Sequence, residues 1–291
     1  MKQLFLVLFI YIISLSGFSQ QHELGIMGGA SYYLGDLNPY AHFIQSRPAG
    51  GIMYRYNMNT RMAFRVSAVF GSLTAADSII GYNKDRNLSF RSPLMEFGGI
   101  YELSYYKFKI GSDKDFFTPY IFAGLSFFKF NPKGYYEGEW YNLQSLGTEG
   151  QGTTAYPNRK PYSLAGFAIP FGLGIKIGIR SSTVLGFEWG LRKTFTDYID
   201  DVSTTYADPY VLMSQNTHVA AALADQSKDR EVNKVGFQRG NSATKDWYSF
   251  AGVSLTFKVK DKSDSCRKSG SRQKSPKSKY LRILRNESNI L

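Results

Sequence analysis

Cysteine is almost missing from this chain. Cys266 stands alone in a polar C-terminal stretch, so no disulfide framework holds the fold. Histidine is nearly as scarce. His22, His42 and His218 lie far apart, and none stands with a serine and a carboxylate in a nucleophile arrangement. No phosphate loop is present, because the glycine-rich stretch 172–178 leads into no helix and ends in no Lys-Ser/Thr pair. The expectation is a non-enzymatic protein with no cofactor and no resident metal. Long apolar runs are missing after the first twenty residues, so the chain encodes no further helix long enough to cross a bilayer. Solenoid-type repeats are missing too.

Negative charge is in deficit, with 35 Lys and Arg against 23 Asp and Glu, for a net charge of +12. In a cytosolic protein that balance suggests nucleic acid. Here residues 1–19 read as a secretory signal: Lys2, an apolar run over 4–13, and Gly17-Phe18-Ser19 as a small-x-small cleavage site. In an exported chain the excess charge suits anionic lipid headgroups, cell wall or an acidic protein partner, and no nucleic acid is expected.

What the chain has in abundance is aromatic residues and glycine: 22 Phe, 21 Tyr and 28 Gly. Membrane barrels use aromatic rings as interfacial girdles and glycine where a narrow lumen is crowded. The segment 167–180, FAIPFGLGIKIGIR, shows the pattern most clearly. Phe167, Ile169, Phe171, Leu173, Ile175, Ile177 and Ile179 alternate with Ala168, Pro170, Gly172, Gly174, Lys176, Gly178 and Arg180. A strand sends these sets to opposite faces, one apolar and one small or cationic. Seven more segments alternate in the same way, over 23–33, 49–57, 61–73, 94–108, 118–128, 183–194 and 247–259. Eight is the smallest even number of strands that closes a membrane barrel. The predicted fold is all-β, an eight-stranded antiparallel transmembrane barrel over residues 20–260.

The connections test this independently. Those at 58–60, 109–117 and 181–182 are short; those at 34–48, 74–93, 129–165 and 195–246 are long. Outer-membrane barrels have short periplasmic turns and long outer loops, and this chain alternates in that phase. Both termini are therefore expected in the periplasm. Facing inward would be Arg55, Arg65, Lys176, Arg180 and Arg192, opposite Glu96, Glu102 and Glu188. An eight-stranded lumen is about filled by side chains, so these charges are expected to pair as a structural network.

The loops are rich in Gly, Asn, Tyr and Pro, as over 135–141 and 148–162, and are expected to be mobile or to order on a partner. A short helix is expected over 217–224, THVAAALA. Asp197, Asp200 and Asp201 are the densest acidic cluster outside the strands. Their spacing could offer oxygens to calcium in an outer loop, but they fit no EF-hand loop, and turn and capping roles are expected of them. Residues 261–291 turn Ser- and Lys-rich and read as a basic, disordered periplasmic tail.

Two loop-side motifs carry a resemblance. YYLGDLNP over 32–39, including Gly35, Asp36 and Leu37, leaves the first strand. RKTFTDYIDDVSTTY over 192–206, including Thr196, Asp197, Tyr198, Asp200 and Asp201, leaves the seventh. Together with FAGVSLTF over 250–257, they make the chain resemble Bacteroidetes outer-membrane barrels similar to the PorG component of the type IX secretion system. The resemblance spans about 23–259; the basic tail departs from it. It implies a part in exporting cargo proteins, as an outer-membrane anchor for a periplasmic ring made of a lipoprotein and a partner subunit. The short turns, above all 111–116, and the tail would be the surfaces available to that ring. The competing reading is a surface-binding barrel whose long loops contact a ligand or host.

Overall fold

The computed structural model describes residues 21–227 and 233–259. The expected secretory signal and the expected basic tail lie outside the described residues. Ten strands form: β1 Gln21–Leu34, β2 Arg47–Asn57, β3 Met62–Ala76, β4 Ser89–Ser104, β5 Phe117–Phe130, β6 Lys133–Tyr136, β7 Glu139–Asn142, β8 Ala165–Arg180, β9 Thr183–Thr194 and β10 Trp247–Lys258. Eight of them close a cylinder in the order β3-β2-β1-β10-β9-β8-β5-β4, with β4 returning to β3. All pairings are antiparallel, and β1 joins β10 from Glu23 opposite Lys258 to Leu34 opposite Trp247. The remaining two strands form a hairpin standing on the rim above β4.

The period-two pattern explains the wall. In β8, Phe167, Leu173 and Ile179 are exposed while Ala168, Gly174 and Lys176 are buried. Ile26, Ile52, Phe97, Ile121, Leu125 and Val253 are likewise exposed around the outer face. A continuous apolar exterior around a polar interior inverts a soluble protein, and it is stable where lipid takes the place of water. The chain is a membrane barrel of the outer-membrane type. Among the described residues no helix is long and apolar enough to cross a bilayer.

Several expectations need correction. The fourth strand begins earlier, at Ser89, and ends at Ser104, because 105–116 turns across the barrel end. Arg180 is exposed and not lumenal, since the register of β8 against β9 shifts between Gly178 and Arg180 and a bulge turns the following side chain outward. The long loops are not loose. Residues 135–141 belong to the β6–β7 hairpin, and within 148–162 Thr148, Glu149 and Thr153 are buried. The expected helix is there as His218–Ala224, with the Thr217 side chain accepting from Ala220 N at its start.

The lumen is packed throughout. At the end that carries the short turns, Phe108, Ile110 and Val184 cluster as a floor. Tyr120 and Phe122 fill the next layer. They fit because the facing wall lacks side chains: a Cβ on Gly190 would stand 2.5 Å from the Phe122 ring, and one on Gly174 2.6 Å from Tyr120. Toward the loops, Val69, Leu73, Phe90, Leu94, Phe128 and Phe250 meet loop residues Leu37, Ile199, Val202 and Leu223 in one core.

Candidate functional site

Two polar assemblies are built inside this frame, one in the barrel and one over its mouth. In the barrel, every charge predicted to face inward except Arg180 does so, and Glu23 joins them. Glu23 takes Arg55 Nη1 at 2.9 Å, Asn57 Nδ2 at 2.6 Å and the Thr256 hydroxyl. Glu102 sits at the centre, with Arg55 Nε at 2.9 Å, Arg65 Nε at 3.2 Å and Lys176 Nζ beside it. The contacts from the two arginines are ion pairs lying off straight hydrogen-bond geometry. Glu188 accepts from Arg65 Nη2 at 3.0 Å and from the Tyr120 hydroxyl at 2.9 Å. Higher up, Glu96 accepts from the Tyr248 hydroxyl at 2.7 Å and meets Arg192 Nε at 3.3 Å, and the Arg192 guanidinium lies 4.7 Å from the Phe250 ring centre. Glu23, Glu96, Glu102 and Glu188 thus face Arg55, Arg65, Lys176 and Arg192. Matched charge is what a lumen without bulk water requires.

Above the mouth, residues of both loop motifs converge. Gly35 and Asn38 exchange backbone hydrogen bonds at 3.0 Å, which sends Leu37 down into the core. Arg86 holds this turn through Nη2 to the Asp36 carbonyl at 2.8 Å while clasping Asp77 through Nε and Nη2 at 2.8 and 2.7 Å. The second motif packs alongside. The Thr196 carbonyl accepts from Asp246 N at 3.0 Å, and the Asp197 carboxylate accepts from the Ser203 hydroxyl at 2.6 Å. Asp200 accepts from Val202 N at 2.9 Å, a turn role as expected. Asp201, with φ of 67°, accepts from the Tyr162 hydroxyl at 2.7 Å and from Thr148, and lies 3.6 Å from Arg239 Nη2. That left-handed backbone is held by the partners of its side chain. The Tyr198 ring stacks on Tyr162 at 4.5 Å and 7°.

The electrostatics follow from burial. Burial pushes the Asp197 carboxyl up to about 7 and that of Asp201 up to about 6. It raises Asp36, and it raises Asp200 and Asp246 well above the ordinary carboxylate range. The Tyr198 phenol is pushed up to about 12, first by burial and then by Glu149.

Sequence reasoning missed Tyr33, Asp77, Arg86, Glu149, Arg239 and Asp246. Arg239 is the central cation of the cap. Its Nη1 donates to Glu149 Oε1 at 3.0 Å and its Nε to the Ala224 carbonyl at 3.1 Å, while Glu149 accepts from Ser203 N at 2.9 Å and Thr204 Oγ1 at 2.6 Å. A signal existed for Asp246. Strand pairing puts Trp247 opposite both Leu34 and Lys193, so the residue before β10 must meet the exits of β1 and β9. Arg239 and Glu149 had none, because irregular loops have no period.

The assembly does not gather a metal site: among the described residues no group of three His, Cys, Asp or Glu could hold an ion, since Asp197, Asp200 and Asp201 address different partners. The histidines have separate surroundings. His22 bonds Tyr54 on the barrel wall, His42 bonds Tyr32 in the first loop, and His218 opens the short helix. Beside the nest runs a groove of about 570 Å³, lined by Asp36, Tyr82, Arg86, Arg239, Asn241 and Lys245 among others.

Residues 2–216 match a family described as a domain of unknown function, DUF6089. No curated protein matches the chain. Among solved structures, similar folds include Neisserial surface protein A (9% identity, 83% of this chain and 100% of that one, TM-score 0.43). Ail, the attachment invasion locus protein of Yersinia pestis, is similar at 8% identity, over 83% of this chain and 100% of that one, with a TM-score of 0.40. OprG from Pseudomonas aeruginosa is similar at 10% identity, over 82% and 97%, with a TM-score of 0.34.

Proposed function

The chain belongs to the DUF6089 family, and from that premise we propose that it is a non-enzymatic outer-membrane subunit of the type IX protein secretion machinery. In this reading it anchors or adapts a periplasmic ring, made of a lipoprotein and its partner subunit, for protein export and for gliding in cells that glide. The turn end then faces the periplasm with both chain termini. The observation that carries the reading is that both motifs of the resemblance, 160 residues apart in the chain, meet in one buried nest through Leu37, Ile199 and Val202. The packed lumen is consistent with it: a barrel filled by its own ion pairs supplies an anchor, and another protein supplies the conduit.

The second reading, a surface-binding barrel, is favoured by one feature. The motif nest and its groove stand at the loop end, where a ligand outside the cell would arrive. Deleting the gene separates the two. The secretion reading expects surface delivery of cargo to fail; normal delivery with lost adhesion overturns it in favour of the second. Single cysteines placed at Ser112 and in the tail should crosslink to a periplasmic partner, whereas crosslinks only from Asn241 would point to the loops.

A further inference from the structure

The rim at the turn end carries a cleft beside the 111–116 turn that the secretion reading offers to the ring. An open cleft of about 720 Å³ is lined by Arg61, Tyr106, Lys107, Lys114, Asp115, Phe116 and Phe117. Three cations thus face one carboxylate, and among the described residues none of the three makes an ion pair. Its walls are continuous with the lipid-facing surface. Phe117 begins β5 on the face that carries Ile121 and Leu125, and Tyr105, which packs edge-on against Tyr106 at 4.8 Å, lies one alternation beyond Leu103. Exposed rings at the edge of an apolar belt mark the membrane–water boundary.

The cleft is also held rigid. Phe108 N donates to the Thr60 carbonyl at 2.7 Å, Lys109 N to the Asp115 carbonyl at 2.9 Å, and Gly178 N to the Phe116 carbonyl at 2.6 Å, so the second short turn is tied to the first and to β8. Gly111, with φ of +76°, lies where a Cβ would meet the Ser181 backbone at 2.7 Å. Phe108 and Ile110 pin the turn from inside.

We propose that this cleft is a binding site for the anionic headgroup of a membrane phospholipid. Arg61, Lys107 and Lys114 receive the phosphate, and Tyr106, Phe116 and Phe117 flank the glycerol and upper acyl chains. Position favours lipid over an acidic protein segment: the rings that wall the cleft continue the bilayer-facing belt, so one side of it borders the bilayer. The inference does not depend on a part in secretion.

The test reconstitutes the full chain in nanodiscs of mixed phosphatidylglycerol and phosphatidylcholine at about 0.15 M salt and counts co-retained lipid by native mass spectrometry. Wild-type protein should retain phosphatidylglycerol in excess of its bulk share. Lys107→Ala should lower that preference about fivefold, since a basic residue at an anionic surface contributes roughly that factor. Arg61→Glu with Lys107→Glu and Lys114→Glu should bring it to the bulk ratio, while Lys245→Ala at the loop end leaves it unchanged. All of these positions are exposed, and heat-modifiable migration confirms that each variant is folded. The proposal is overturned by bulk-ratio retention in the wild type, by retention unchanged in the triple variant, or by loss of the preference when inorganic phosphate is added at equal concentration.

Discussion

Asp200 and Asp246 meet at one hydroxyl: the Tyr33 oxygen lies 2.6 Å from a carboxylate oxygen of each. A phenol carries a single proton and can donate to only one of them. The other contact therefore needs a proton of its own, held on a carboxyl group. Burial pushes both carboxyls upward; Asp246 and Asp36 raise Asp200 further, and Asp197 and Asp36 raise Asp246. Burial and this geometry together favour a proton held on one of the two carboxyls.

The sign of the resulting pH dependence follows. Carboxyls whose folded-state values lie above the unfolded value of about 3.9 stabilise the fold fully below that value, and the contribution is lost as pH rises through the folded values. With Asp201 at about 6 and Asp197 at about 7, the loss runs across neutrality. Amide exchange in the loop cap should be slowest near about pH 5 and should quicken toward about pH 8. Asp200→Asn should flatten that slope. Exchange that slows as pH rises, after correction for intrinsic rates, would count against the held proton.

Glu102 is the single carboxylate shared by Arg55, Arg65 and Lys176. Glu102→Gln leaves buried positive charge uncompensated and should cost about 3–5 kcal/mol. Urea titration in micelles, followed by heat-modifiable electrophoretic mobility, measures it; a midpoint equal to that of the wild type would refute the central role.

Space in the lumen is reserved by glycine. Gly190→Ala drives a methyl against the Phe122 ring and should destabilise by about 1–3 kcal/mol. Phe122→Leu in the same chain should recover part of the loss. The same titration reads both, and equal stability of the single and double variants would show that the ring is not what the methyl meets.

Charge pairs and rings that fill the interior leave ions no path. Reconstituted in planar bilayers, the wild-type chain should show no steady single-channel conductance. Regular, voltage-independent openings would mean that the lumen is not packed as described.

At the loop end, Arg239 is what two buried carboxylates share, Glu149 at 3.0 Å and Asp201 at 3.6 Å. Arg239→Ala should open the cap to protease within the long loops while the barrel keeps its heat-modifiable migration. An intact cap in that variant would mean that the aromatic column of Phe130, Tyr162 and Tyr198 suffices to hold it.

The barrel was legible because its determinants repeat. Lipid on one side and a lumen on the other impose a period of two on every strand, and Phe167, Gly172, Lys176 and Phe187 display it without any partner in view. The lumenal charges followed from the same parity, failing only at Arg180, where a bulge breaks it. Glu23 was passed over because it lies at the very start of its strand, before the alternation is established.

Sequence by itself determined the number of strands in the barrel wall, which side chains face lipid, and which loops are long, because each of these is a local consequence of alternation and spacing. Only the tertiary structure decided that the loops form a packed cap and that Asp36, Asp200, Arg239 and Asp246 belong to one nest. Those contacts join irregular segments far apart in the chain, and they come together only because closing the sheet brings the exits of β1 and β9 against the entry of β10.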